Sequence, residues 1–67
     1  PAVDELEAWF EQHPGPQREL VKDLAPWIER LSRLDSAGRA QACKLIRRHL
    51  KSPKLKAARD VLLEKLS

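Results

Sequence analysis

The chain has 67 residues, 42% apolar and 34% charged, with a formal net charge of +3 at neutral pH. That length allows one domain at most, buries only about 60% of the unfolded surface, and leaves little room for a catalytic cleft. The apolar content is too high for a disordered segment, one cysteine excludes an intrachain disulfide, and one cysteine with two distant histidines excludes a zinc-finger pattern.

Leu, Ala, Arg, Lys and Glu dominate, with two Gly and no Tyr, and this composition favours helix. A helical bundle suits so short a chain because its contacts are local. No run of about 18 apolar residues exists to span a membrane. The lone Cys43 and the lack of a signal peptide fit an intracellular compartment, cytoplasmic or nuclear. The chain begins at Pro1 without Met and reads as a single helical domain, residues 1–67, excised from a longer protein.

The first helix is predicted from Asp4, as N-cap, to Gln12, with Glu5 and Glu7 near the positive end of the helix dipole. Val3, Leu6, Trp9 and Phe10 share one face. His13-Pro14-Gly15-Pro16 ends it. The second helix is predicted from Pro16 to Leu34. Leu20, Leu24, Trp27, Ile28 and Leu31 stay on one stripe across Pro26, and this preserved phase favours one helix kinked at Pro26. The rival reading starts a new helix at Pro26. Glu5-Leu6-x-x-Trp9-Phe10-Glu11 and Asp23-Leu24-x-x-Trp27-Ile28-Glu29 echo each other, as two helices solving the same packing problem.

Asp35 or Ser36 caps a third helix running to Lys51. Ser52-Pro53 then stops it and starts the fourth, which runs to Leu66 with Leu55, Ala58, Leu62 and Leu66 inward and Val61 and Leu63 on its flanks. The expectation is an all-α domain of four helices, with a core of Leu6, Phe10, Leu20, Leu24, Ile28, Leu31, Ile46, Leu50, Leu62 and Leu66.

Charge is split along the chain. Residues 1–35 carry eight acids and four bases, a net of −4; residues 36–67 carry nine bases and two acids, a net of +7. Between Ser36 and Arg59 there are eight bases and no acid. Such asymmetry points to an acidic partner. On the third helix Lys44, Arg48 and Lys51 stack within about 60° and Arg47 borders them, at 100° per residue, opposite the stripe of Ala42, Cys43, Ile46 and Leu50. Lys54 and Lys56 carry the row through the Ser52-Pro53 turn. Arg39 lies nearer the apolar seam, where its stem can snorkel.

Faces kept only for solubility mix both signs. Like charges four apart, such as Lys44 with Arg48 and Arg47 with Lys51, cost a few tenths of a kcal/mol each. A face bearing that cost without an acid suggests phosphate contact through Arg39, Lys44, Arg47, Arg48, Lys51, Lys54 and Lys56. Base reading would want aromatics or amides among the cations, and Gln41 is the only amide there.

The other candidates read more plainly. Cys43 is a small buried hydrophobe, its neighbours Lys44 and Arg47 pointing away. His13 closes the first helix, and His49 flanks the apolar edge of the third, too far around the helix to pair with Cys43. No metal or cofactor site is expected. Trp9 and Trp27 are core residues by default; the alternative makes them aromatic anchors beside an apolar groove. Glu5, Glu7 and Glu11 face solvent or a basic neighbour, and a homodimer in which they meet the third helix is possible.

Pro26-Trp27-Ile28 resembles the tripeptide that names the PWI domain, a four-helix nucleic-acid-binding fold of splicing proteins. Leu24, Pro26, Ile28, Leu31, the basic run and Ile46 resemble the BESS motif, a two-helix protein-interaction module. The two resemblances imply different functions, and neither assigns the chain to a family. The expectation is a non-enzymatic module that contacts nucleic-acid phosphates, with helical protein–protein interaction or dimerisation near Trp9 and Trp27 as the alternative.

Overall fold

A computed structural model describes residues 2–67, and among these every regular element is helical. The order is α1 (Ala2–Gln12), α2 (Gln17–Asp23), α3 (Ala25–Leu31), α4 (Ser36–His49), a single 3-10 turn (Pro53–Leu55) and α5 (Lys56–Leu66). The all-α expectation holds; the count of four helices does not, because the predicted second helix is two.

α1 starts at Ala2, so Asp4 lies in its first turn and does not cap it. Asp4 and Glu5 still meet the positive end of the dipole. At the other end the His13 ring donates from Nδ1 to the Trp9 carbonyl at 2.8 Å, closing the helix before Pro14.

α2 and α3 meet at Leu24, not at a kink centred on Pro26. Proline has no N–H for the Lys22 carbonyl, and its ring crowds the carbonyl four residues back, so the α2 ladder stops at Asp23. Pro26 then occupies the first turn of α3, where a missing N–H costs nothing. The rival reading of the sequence was the nearer one. Leu24 stays in the right-handed helical region (φ −77°, ψ −15°); its N–H donates to Leu20 and its carbonyl accepts from Ile28, both at 3.0 Å. The apolar stripe therefore passes through the junction in phase, and Leu20, Leu24, Ile28 and Leu31 are all buried.

Asp35 caps α4, its Oδ1 accepting from the Gly38 N–H at 2.8 Å. The helix ends at His49, two residues before the expected Lys51. Ser52 caps the following turn, its Oγ accepting from the Lys54 N–H at 3.3 Å, with Pro53 first in that turn. Pro53–Leu55 is 3-10 in geometry, so α5 proper begins at Lys56.

α4 is the hub, packing against α1, α3 and α5, while α3 also touches α1 and α5. All ten residues expected in the core are buried, and Ala42, Cys43 and Leu45 join them. Among the described residues no charged or polar one is buried with them. Val61, on one flank of α5, is 51% exposed, whereas Leu63 on the other packs against the core.

Candidate nucleic-acid interface

The outer face of α4 is set by its inner one. Ala42, Cys43, Leu45 and Ile46 take the core side, which leaves Lys44, Arg47 and Arg48 exposed; just past the helix end Leu50 is buried and Lys51 exposed. Ala37 and Ala40 are exposed on the same side, and their small side chains let a partner approach the helix. Lys54 is exposed on the turn. Among the described residues none of these five cations forms an ion pair.

The remaining two cations of the predicted row are held by the protein itself. Arg39 is half-buried and donates from Nη1 to the Leu34 carbonyl at 2.7 Å, closing the end of the α3 region. Lys56 is bonded to Asp60 at 2.7 Å, one turn along α5. The hydrogen bond from Lys56 holds the Asp60 carboxyl below its ordinary range; desolvation opposes it, and the charges of Lys56, Arg59 and Arg47 add lesser lowering contributions. Asp60 thus lies within electrostatic reach of Arg47, and the basic face has an acid at its α5 border. Arg59 is occupied like Arg39: it is half-buried and its Nη1 donates to the Leu50 carbonyl at 2.7 Å, satisfying the end of α4.

Two grooves flank the α4 ridge. On the α1 side, Asp4 and Glu7 share a groove with Gln41, Lys44 and Arg48. An acidic wall therefore runs beside the cations, which the charge pattern of the chain did not place there. On the α5 side, Ala40, Cys43 and Leu66 form an apolar floor edged by Arg39, Lys44 and Arg47. Cys43 is a free thiol and is buried in this floor.

A third groove brings in a residue the sequence reading missed. Arg18, in the acidic first half of the chain, lines it together with Ser52 and Lys54. The link is the side chain of Gln17, whose Oε1 accepts from the Ser52 N–H at 3.0 Å and ties α2 to the turn after α4. No local signal joins positions 18 and 54; only the return of the chain past α2 does so.

Trp9 and Trp27 are both half-buried and touch each other, with ring centroids 6.2 Å apart. Trp9 also stacks on His13 at 4.6 Å and meets the edge of Phe10 at 5.3 Å. The Arg30 guanidinium lies 4.9 Å from the centroid of the Trp27 ring and pairs with Glu5 of α1. The two indoles thus serve as packing between α1 and α3, and neither lines any of the grooves described above. Among the described residues no cluster of three metal-ligating side chains occurs, and no helix is long and apolar enough to cross a membrane. Compared with protein-family models, with curated proteins and with solved structures, the chain matches none.

Proposed function

We propose that this domain is a non-enzymatic binding module that contacts nucleic-acid phosphates through Lys44, Arg47, Arg48, Lys51 and Lys54. The observation that carries this reading is the exposed, unpaired state of all five cations on one ridge and the turn that follows it. Arg39 and Lys56 stand at its borders with their charge already engaged. From Lys44 to Arg48 the helical part of the ridge is about 6 Å long at 1.5 Å per residue, the rise of about two phosphates along one strand, and Lys51 follows just past the end of α4. With Gln41 the only amide on this face, the contact is to backbone and carries weak sequence preference.

The test is a titration with a random duplex and a random single strand at two salt concentrations. Five phosphate contacts give a slope of log affinity on log salt of about −4.5 with duplex, a drop of about 500-fold between 50 and 200 mM. Arg48→Glu with Lys51→Glu abolishes binding. Salt-insensitive binding to a protein, lost when Trp9 or Trp27 is replaced and kept in the α4 variant, overturns this reading in favour of a protein-interaction module.

A further inference from the structure

The groove between α2 and the Pro53–Leu55 turn has the composition of a phosphate seat. Its lining is Pro16, Gln17, Arg18, Ser52, Lys54 and Leu55, which includes two cations, a hydroxyl and no acid. Arg18 and Lys54 are exposed, and neither is ion-paired among the described residues. The Ser52 Oγ already accepts from the Lys54 N–H, which leaves its own O–H free to donate outward. Gln17 Oε1, accepting from the Ser52 N–H at 3.0 Å, ties the start of α2 to the turn and so keeps the chain at Arg18 beside the chain at Lys54. A groove whose lining carries a guanidinium fork, an ammonium and a hydroxyl suits the oxygens of a phosphate diester.

We propose that Arg18, Ser52 and Lys54 bind one backbone phosphate of the nucleic acid, so that its strand leaves the α4 ridge and bends over the turn onto α2. This rests on the reading of α4 proposed above and adds to it a direction. On the α1 side the strand would meet Asp4 and Glu7, which share a groove with Lys44 and Arg48. On the α2 side it meets a groove lined by Arg18 and Lys54 and by no acid, with Glu19 and Asp23 of α2 outside that lining. Like charge on one flank and opposite charge on the other set the course of the strand across the domain.

The experiment compares wild type with Arg18→Ala, Arg18→Lys, Lys22→Ala and the Arg48→Glu/Lys51→Glu double variant, each binding a random duplex at about 50 and 200 mM salt. A whole phosphate contact is worth about 0.9 of the salt slope, and Arg18 shares its phosphate with Lys54, so Arg18→Ala shrinks the affinity drop between those two conditions by up to about 3.5-fold. Arg18→Lys keeps most of the slope, and Lys22→Ala, a neighbour on α2 that does not line the groove, leaves it unchanged. Circular dichroism of each variant separates lost contact from lost fold. A wild-type slope in Arg18→Ala, alongside abolished binding in the α4 variant, overturns the seat and leaves the α4 reading standing. An equal loss in Lys22→Ala overturns it too, by reducing it to net charge. Undiminished binding in the α4 variant overturns the α4 reading itself, and a wild-type domain that binds no duplex overturns both.

Discussion

The Phe10 ring lies flat against the imidazole of His49, with centroids 4.3 Å apart and planes within 6°. This stack joins α1 to the last turn of α4. Phe10 is buried and His49 half-buried, so the histidine roofs the phenyl ring and does not face a ligand. His49→Ala removes the roof and lowers stability by about 1 kcal/mol, a typical value for an aromatic pair. Phe10→Ala costs about 3–5 kcal/mol, enough to unfold most of so small a domain. Urea unfolding followed by circular dichroism measures both, and equal midpoints for His49→Ala and wild type would show that the stack contributes nothing.

The α2–α3 junction fixes the sign of a second substitution. A proline inside a continuous helix costs about 3 kcal/mol, so replacing it by alanine would strengthen the helix. Pro26 instead sits in the first turn of α3, where its fixed φ is already the helical one. Pro26→Ala there gives the unfolded chain more freedom and lowers stability by about 0.4–1 kcal/mol. A rise in the thermal midpoint would contradict the two-helix arrangement. Leu24→Ala at the same junction removes a side chain with no solvent exposure and costs about 2–5 kcal/mol.

What the sequence made legible was local. The ten core positions follow from helical periodicity, and the caps at Asp35 and Ser52 follow from residue chemistry at helix starts. The burial of Leu45 was not legible, because a wheel assumes one covered side and α4 is covered by α1, α3 and α5. Nor were the ties of Arg39 to Leu34 and of Arg59 to Leu50, since a guanidinium counted as a surface charge looks the same whether or not a helix end needs it. Lys56 and Asp60 stand four apart, a spacing at which helical side chains meet, whereas Arg18 beside Lys54 depends wholly on how the chain returns.

The two glycines respond in opposite directions to alanine. A Cβ at Gly15 meets nothing within 4 Å, and no glycine among the described residues has a positive φ. Gly15→Ala therefore stabilises by about 0.4–1 kcal/mol through the unfolded chain. Gly38 lies in the first turn of α4, and a Cβ there would come 3.0 Å from Leu34 Cβ and 3.2 Å from Asp35 Oδ1. The second neighbour is the oxygen that caps the helix, so it cannot yield without weakening the cap. Gly38→Ala destabilises by about 1 kcal/mol despite alanine's better helix propensity. Thermal melts of the two variants give the signs directly, and a stabilised Gly38→Ala would mean that the α4 start accommodates the methyl group.

Asp60 links stability to binding. Its carboxyl is held below the ordinary range, first by the Lys56 hydrogen bond, so the folded form keeps its charge at pH values where the unfolded chain has begun to take up a proton. A depressed folded-state pKa contributes stability that is present above the unfolded value and lost as pH falls through the folded one. Asp60→Asn removes that component, so stability at neutral pH falls slightly, as expected of so exposed a pair, and the loss of stability on acidification shrinks by the same small amount. The same substitution releases Lys56 and takes an acid away from Arg47. On the proposed interface this adds one cation, so duplex affinity at low salt rises and the drop between about 50 and 200 mM grows by about 3.5-fold. A flattened acid profile with unchanged affinity would confine Asp60 to helix stability and move the phosphate path away from α5, leaving it to Lys44, Arg47, Arg48 and Lys51, the turn at Lys54 and the groove beside Arg18.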